Sequence, residues 1–181
     1  MKLNYRPEID GLRAISIISV VLYHAQITFN NSIFLSGGFL GVDIFFVISG
    51  YLISSIIFKE LIETNSFSIK NFFIRRIRRI LPALIFLIFV LTLVSYFTLQ
   101  PQSLIDYSKS TISSIFFSSN IYFWQMNSMY MAENQLLSPL LHTWSLSVEE
   151  QFYLFFPIAM LLIFKINKKI LFPIIFILIC V

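Results

Sequence analysis

Charge is what this chain has least of. Of its 181 residues only 12% are charged, while 57% are hydrophobic. A soluble domain of that size needs far more polar surface, so that class is excluded. Cysteine is nearly absent: the single one, Cys180, excludes an internal disulfide. Histidine is almost as scarce, with His24 and His142 alone. No GxGxxG or P-loop motif is present, so the usual glycine-rich phosphate cradles are missing. No internal repeat or low-complexity tract is visible, and the residues suggest no metal site and no bound cofactor. The net charge of +4 is not a nucleic-acid signal, because most of it sits in one short loop.

What the chain does have is long apolar runs, which make it an all-α, multi-spanning bundle in a lipid bilayer. Spans are predicted at about 12–29, 38–58, 80–99 and 148–164. Pro82 is expected in the first turn of the third span, where proline is tolerated, and Pro157 should kink the fourth. The run from Ile170 to Val181 is too short to span, and the sequence reads as the N-terminal part of a larger membrane domain. The first run is no convincing signal peptide, since Glu8 and Asp10 precede it and Arg13 and His24 interrupt it.

Lys and Arg concentrate at 59–79, with six, and at 165–169, with three. The positive-inside rule makes both loops and the N-terminus cytoplasmic, in the cell's inner membrane. Two basic loops on one side require an even number of crossings between them. Residues 111–131 are therefore expected to dip in and return, or to lie at the interface. The serines of that stretch, with Asn120 and Gln125, suit a cavity lining better than a lipid face.

Arg13 and His24 are eleven residues apart, which on a helix is almost three turns and about 16 Å along one face. An ionisable residue facing lipid is costly, so this face should point into protein. Asp43 and His24 each lie six residues from the same outer turn, which puts both at one depth, and a carboxylate beside an imidazole fixes its tautomer. Gly37 and Gly41 form a GxxxG pair, a close helix-packing surface. The stretch NFFIRRIRRILPA holds Arg75, Arg76, Arg78 and Arg79 as two overlapping RxxR pairs. They are topology anchors or a phosphate-binding pocket, since arginine recognises phosphate bidentately. In LHTWSLSVEEQFYLFFP, Ser147 and Glu150 have capping-box spacing, leaving Glu149 on the outer side. His142 is expected at a surface or interface.

These pieces together resemble the acyltransferase family 3 membrane proteins of bacteria. Arg13 and His24 fit that family's R/K-x10-H motif, and GGFLGVDIFFVISGYLIS resembles its second block. RRIRRILPAL is similar to its RxxR block, and WSLSVEEQFYLFFP to its fourth. The match covers nearly the whole chain, at about half the family domain's length. The resemblance implies transfer of an acyl group, usually acetyl, from cytoplasmic acyl-CoA to a hydroxyl of a cell-envelope glycan. It implies donor phosphates on Arg13, Arg76 and Arg79, with Arg75 and Arg78 the other pair. It implies His24 as general base or transient acyl carrier, Asp43 orienting it, and Glu149 at the acceptor side. Some members carry a fused SGNH-type hydrolase domain. The chain shows no soluble acetyltransferase signature. The rival reading is a transporter, because intramembrane His, Asp and Arg also build ion pathways. A non-catalytic scaffold leaves the aligned ionisable residues unexplained.

Overall fold

The computed structural model describes residues 6–29, 32–128 and 138–166. The chain divides into two compact units, residues 1–67 and 68–181. Among the described residues both are helical, apart from a two-residue antiparallel ladder.

The first unit opens with helix α1, Pro7–His24. Proline at its start loses nothing, because the first helical N–H groups have no intrahelical partner. Glu8 and Asp10 in the first turn and His24 in the last complement the helix dipole. The apolar pattern continues past His24, but the chain turns at Gln26, whose φ of 48° is left-handed. The first helix thus starts and stops five residues earlier than residues 12–29 would have it. Thr28–Phe29 pairs with Ser32–Ile33, and a 3₁₀ turn at Gly38–Leu40 leads into helix α2, Gly41–Thr64.

Two glycines set how closely α1 and α2 approach. A Cβ on Gly38 would collide with the Ser19 carbonyl and the Tyr23 Cβ. One on Gly41 would collide with the Ser16 carbonyl and the Val20 side chain. Gly37 has nothing within 4 Å, so the close-packing pair is Gly38 and Gly41, not Gly37 and Gly41. The residue before the turn faces away, and the 3₁₀ turn puts a three-residue spacing on the α1 side.

The second unit begins with helix α3, Ile69–Thr98, capped by the Ser68 hydroxyl, which accepts from the Asn71 N–H. It is 30 residues long and contains the whole arginine run, which was expected as a loop. Pro82 consequently lies inside the helix and not in its first turn. It removes one backbone donor there, and its ring crowds the carbonyl one turn back.

Residues 111–128 fall on two short helices, α4 at Pro101–Ile115 and α5 at Ser119–Ser128, and 129–131 lie outside the described residues. The break follows a recognisable helix stop. Phe117 is left-handed, its N–H bonds the Ser114 carbonyl, and the Ser118 N–H bonds the Ser113 carbonyl. At about 1.5 Å per residue neither helix reaches the roughly 30 Å of a bilayer core. The hydroxyl of Tyr107 on α4 bonds Thr92 and the Ile88 carbonyl, so α4 returns along α3. The Tyr122 hydroxyl donates to the Asp106 carbonyl, so α5 doubles back along α4.

Helix α6, Thr143–Ile166, starts earlier than predicted and contains Pro157. Its first turns meet the α4–α5 bend through polar groups. The hydroxyls of Ser114, Thr143, Ser119 and Ser147 follow one another at 2.7–3.0 Å. The Asn120 and Gln151 amides bond each other at 3.0 and 3.1 Å, and Gln151 also donates to the Phe117 carbonyl. Ser114, Thr143, Ser119 and Ser147 are all buried. A membrane helix must satisfy such groups internally, and this seam does so. The Arg76 guanidinium of α3 lies over the Tyr153 ring, so the first third of α3 faces the middle of α6.

Among the described residues three helices are long and apolar enough to cross a membrane: Gly38–Thr64, Ile69–Thr98 and Thr143–Lys165, with mean hydropathies of 2.0, 2.6 and 1.5. α1 is not among them; its 18 residues include Glu8, Asp10 and Arg13. The unfinished run at 170–181, and residues 167–169 of the second basic loop, lie outside the described residues.

Candidate functional site

Each unit carries a group of ionisable side chains. In the first, Arg13 and His24 are both on α1. The Arg13 guanidinium lies over the Phe45 ring at 5.7 Å, and its Nε is buried with no hydrogen-bond partner. A cation on an aromatic face is stabilised by the ring quadrupole, while the in-plane N–H groups stay directed elsewhere. Arg6, next to the helix start, bonds Glu8 and the Tyr51 hydroxyl.

His24 is the last residue of α1 and is exposed, where a buried imidazole was expected. Its Nδ1 lies 2.8 Å from the Val20 carbonyl one turn back. A carbonyl only accepts, so Nδ1 carries the proton. In the neutral ring the basic lone pair is then on Nε2. Helix-end geometry thus orients the imidazole, the role expected of Asp43. Asp43 sits exposed in the first turn of α2 and makes no hydrogen bond among the described residues. A backbone carbonyl four residues back is always within reach at a helix end, whereas matched depth alone does not bring two side chains together.

In the second unit Phe72, Arg76 and Arg79 fall on one face of α3, at spacings of four and three. The Arg76 guanidinium lies 4.7 Å from the Tyr153 ring centre and 5.6 Å from that of Phe72. Glu149, Glu150 and Arg79 are the charged groups around it. The Tyr153 hydroxyl donates to Glu149 one turn back on α6. Glu150 has a buried carboxylate oxygen with no hydrogen-bond partner. Since α6 begins at Thr143, Ser147 is four residues inside the helix and Glu150 does not cap it. Ser147 instead bonds Ser119. Glu149, expected on the far side from the arginines, belongs to the Arg76 group. Arg75 and Arg78 are exposed on the other faces of α3, and His142 is exposed, as expected. Among the described residues no group of His, Cys, Asp and Glu could hold a metal ion.

The acyltransferase domain family, acyltransferase family 3, matches residues 6–181. The chain belongs to that family. The O-acetyltransferase OatA of Staphylococcus aureus strain NCTC 8325 is 45% identical to it over 159 residues, which is 86% of this chain and 25% of that protein. A provisionally named O-acetyltransferase of S. aureus strain MSSA476 is 41% identical over 168 residues, 93% of this chain and 27% of the relative. The chain therefore spans about a quarter of the length of the curated relatives it matches. No solved structure matches it.

Within this acyltransferase family 3 chain, sequence reasoning passed over Tyr153, Phe72 and Phe45, the aromatic rings beneath the arginines. A signal was available for the first two. Tyr153 is four residues after Glu149, and Phe72 is four before Arg76, so each pair shares a helix face. Phe45 faces Arg13 across two helices, and no local spacing reports that contact.

Proposed function

We propose that this chain is part of a membrane O-acyltransferase that moves an acyl group, most simply acetyl, from cytoplasmic acyl-CoA to a hydroxyl of a cell-envelope glycan. The observation that carries the reading is the His24 imidazole. Its Nδ1 is turned to the Val20 carbonyl, which makes Nε2 the basic nitrogen. A hydroxyl is a poor nucleophile until a base takes its proton, and a neutral imidazole nitrogen can take it. Either His24 Nε2 takes the hydroxyl proton as the sugar oxygen attacks the thioester carbonyl and the CoA thiolate leaves, or Nε2 attacks the thioester first, expels the thiolate, and then yields the acyl group to the sugar oxygen. Asp43, in the first turn of α2, is assigned to the same unit as a supporting carboxylate and not as the hydrogen-bonded partner of His24.

The arginines are assigned to the donor's phosphates, Arg13 in the first unit and Arg76 with Arg79 in the second. Arg76 and Arg79 are preferred over Arg75 and Arg78 because they share the α3 face on which Arg76 meets Tyr153 of α6. Glu149 is assigned to the same arginine site. Family membership and the O-acetyltransferase names of the relatives support the reaction class. α1 crosses the bilayer with its N-terminus inside, and the α4–α5 hairpin enters the bilayer and returns.

The test is release of free CoA by the purified full-length protein. Free thiol should appear when acetyl-CoA and cell-envelope glycan are supplied together. No thiol with both present, combined with proton or anion flux in proteoliposomes, would establish the transporter reading instead.

A further inference from the structure

We propose that Tyr153 is a positioning residue that fixes both halves of the Arg76 site, its ring holding the guanidinium on α3 and its hydroxyl holding the Glu149 carboxylate on α6. The inference rests on the donor-binding role proposed for Arg76.

Tyr153 is 2% exposed, so its orientation is imposed by packing and not by solvent. Its ring lies 4.7 Å from the Arg76 guanidinium carbon, and Phe72 supports the same group at 5.6 Å. A guanidinium held over a ring face spends no N–H donor on that contact, so its donors remain for an incoming phosphate, which arginine favours meeting two at a time. The Tyr153 hydroxyl meanwhile donates to Glu149. A carboxylate left to itself next to Arg76 would pair with it bidentately and occupy the same N–H edges. By accepting from Tyr153, Glu149 is held on its own helix. One buried side chain thus keeps a cation and a carboxylate close without letting them neutralise each other.

The two functions of Tyr153 separate chemically. Tyr153→Phe keeps the ring and loses the hydroxyl, whereas Tyr153→Leu loses both. In the full-length protein, Tyr153→Phe should retain the stacking, while Glu149, released, competes for Arg76. Acetyl-CoA affinity should then fall about threefold and turnover about tenfold. Tyr153→Leu should lower acetyl-CoA affinity at least tenfold further. An independent readout is the ring-current shift of the Arg76 guanidinium protons in arginine-labelled protein in micelles. It should persist in the Phe variant and vanish in the Leu variant. Equal acetyl-CoA affinity in the two variants, or a guanidinium shift that survives in Tyr153→Leu, would overturn the proposal. If the shifts behave as expected but wild-type protein binds no acetyl-CoA, the donor role of Arg76 fails and Tyr153 is only a packing support.

Discussion

Arg76 offers two surfaces to its surroundings. Its guanidinium carbon lies over the Tyr153 and Phe72 rings, and its N–H groups are the hydrogen-bond donors. Lysine can replace the charge but neither the stacked plane nor the bidentate edge. Hydrogen bonds to charged groups contribute about 1.5–3 kcal/mol, so Arg76→Ala should weaken acetyl-CoA binding by roughly 10- to 100-fold. Arg76→Lys should recover only part of that loss. Arg79→Ala should act in the same direction, and Arg75→Ala should leave affinity within about twofold of wild type. Titration calorimetry of the four variants checks the assignment. Curves for Arg76→Ala and Arg79→Ala that overlay the wild type would make these arginines topology anchors.

At the scale of elements, Gly38 and Gly41 decide how α1 meets α2. Any side chain at Gly41 must push against the Ser16 carbonyl, which is fixed backbone. Gly41→Leu should therefore destabilise the protein by about 1–3 kcal/mol, as overpacking usually does. Gly37→Ala has open space around it and should change stability by less than about 0.5 kcal/mol. Thermal unfolding in detergent compares the two, and equal midpoints would remove the glycine contact from the account. The same region shows what a sequence can and cannot report. Long apolar runs announced α2, α3 and α6 because hydropathy is summed over many residues. The arginine run looked like a loop because charge was read as a boundary, yet an amphipathic turn carried α3 through it. The break at Phe117 was invisible, because a left-handed stop usually takes glycine and here takes phenylalanine. Arg13 and His24 were legible as a pair because a helix fixes their spacing by itself. The turn of His24 toward Val20 instead of Asp43 was not, because side-chain partners between helices depend on packing.

For the whole molecule, the parity argument from charge predicts that both basic loops face the cytoplasm. Single cysteines in a Cys180→Ser background test it in intact cells with a membrane-impermeant maleimide. Labelling is expected at Ser36 and Asn134 and not at Asn65 or Asn167. Labelling at Asn167 would make residues 111–131 a full crossing.

The most direct measurement follows the acyl group itself. Sealed membrane vesicles with the cytoplasmic face outward, bearing full-length protein and native glycan, would receive acetyl-CoA labelled in the acetyl group. The account predicts label in the glycan with wild-type protein. It predicts none with His24→Ala, although that variant still inserts and still binds acetyl-CoA. Glycan labelling by His24→Ala at near wild-type level would contradict it.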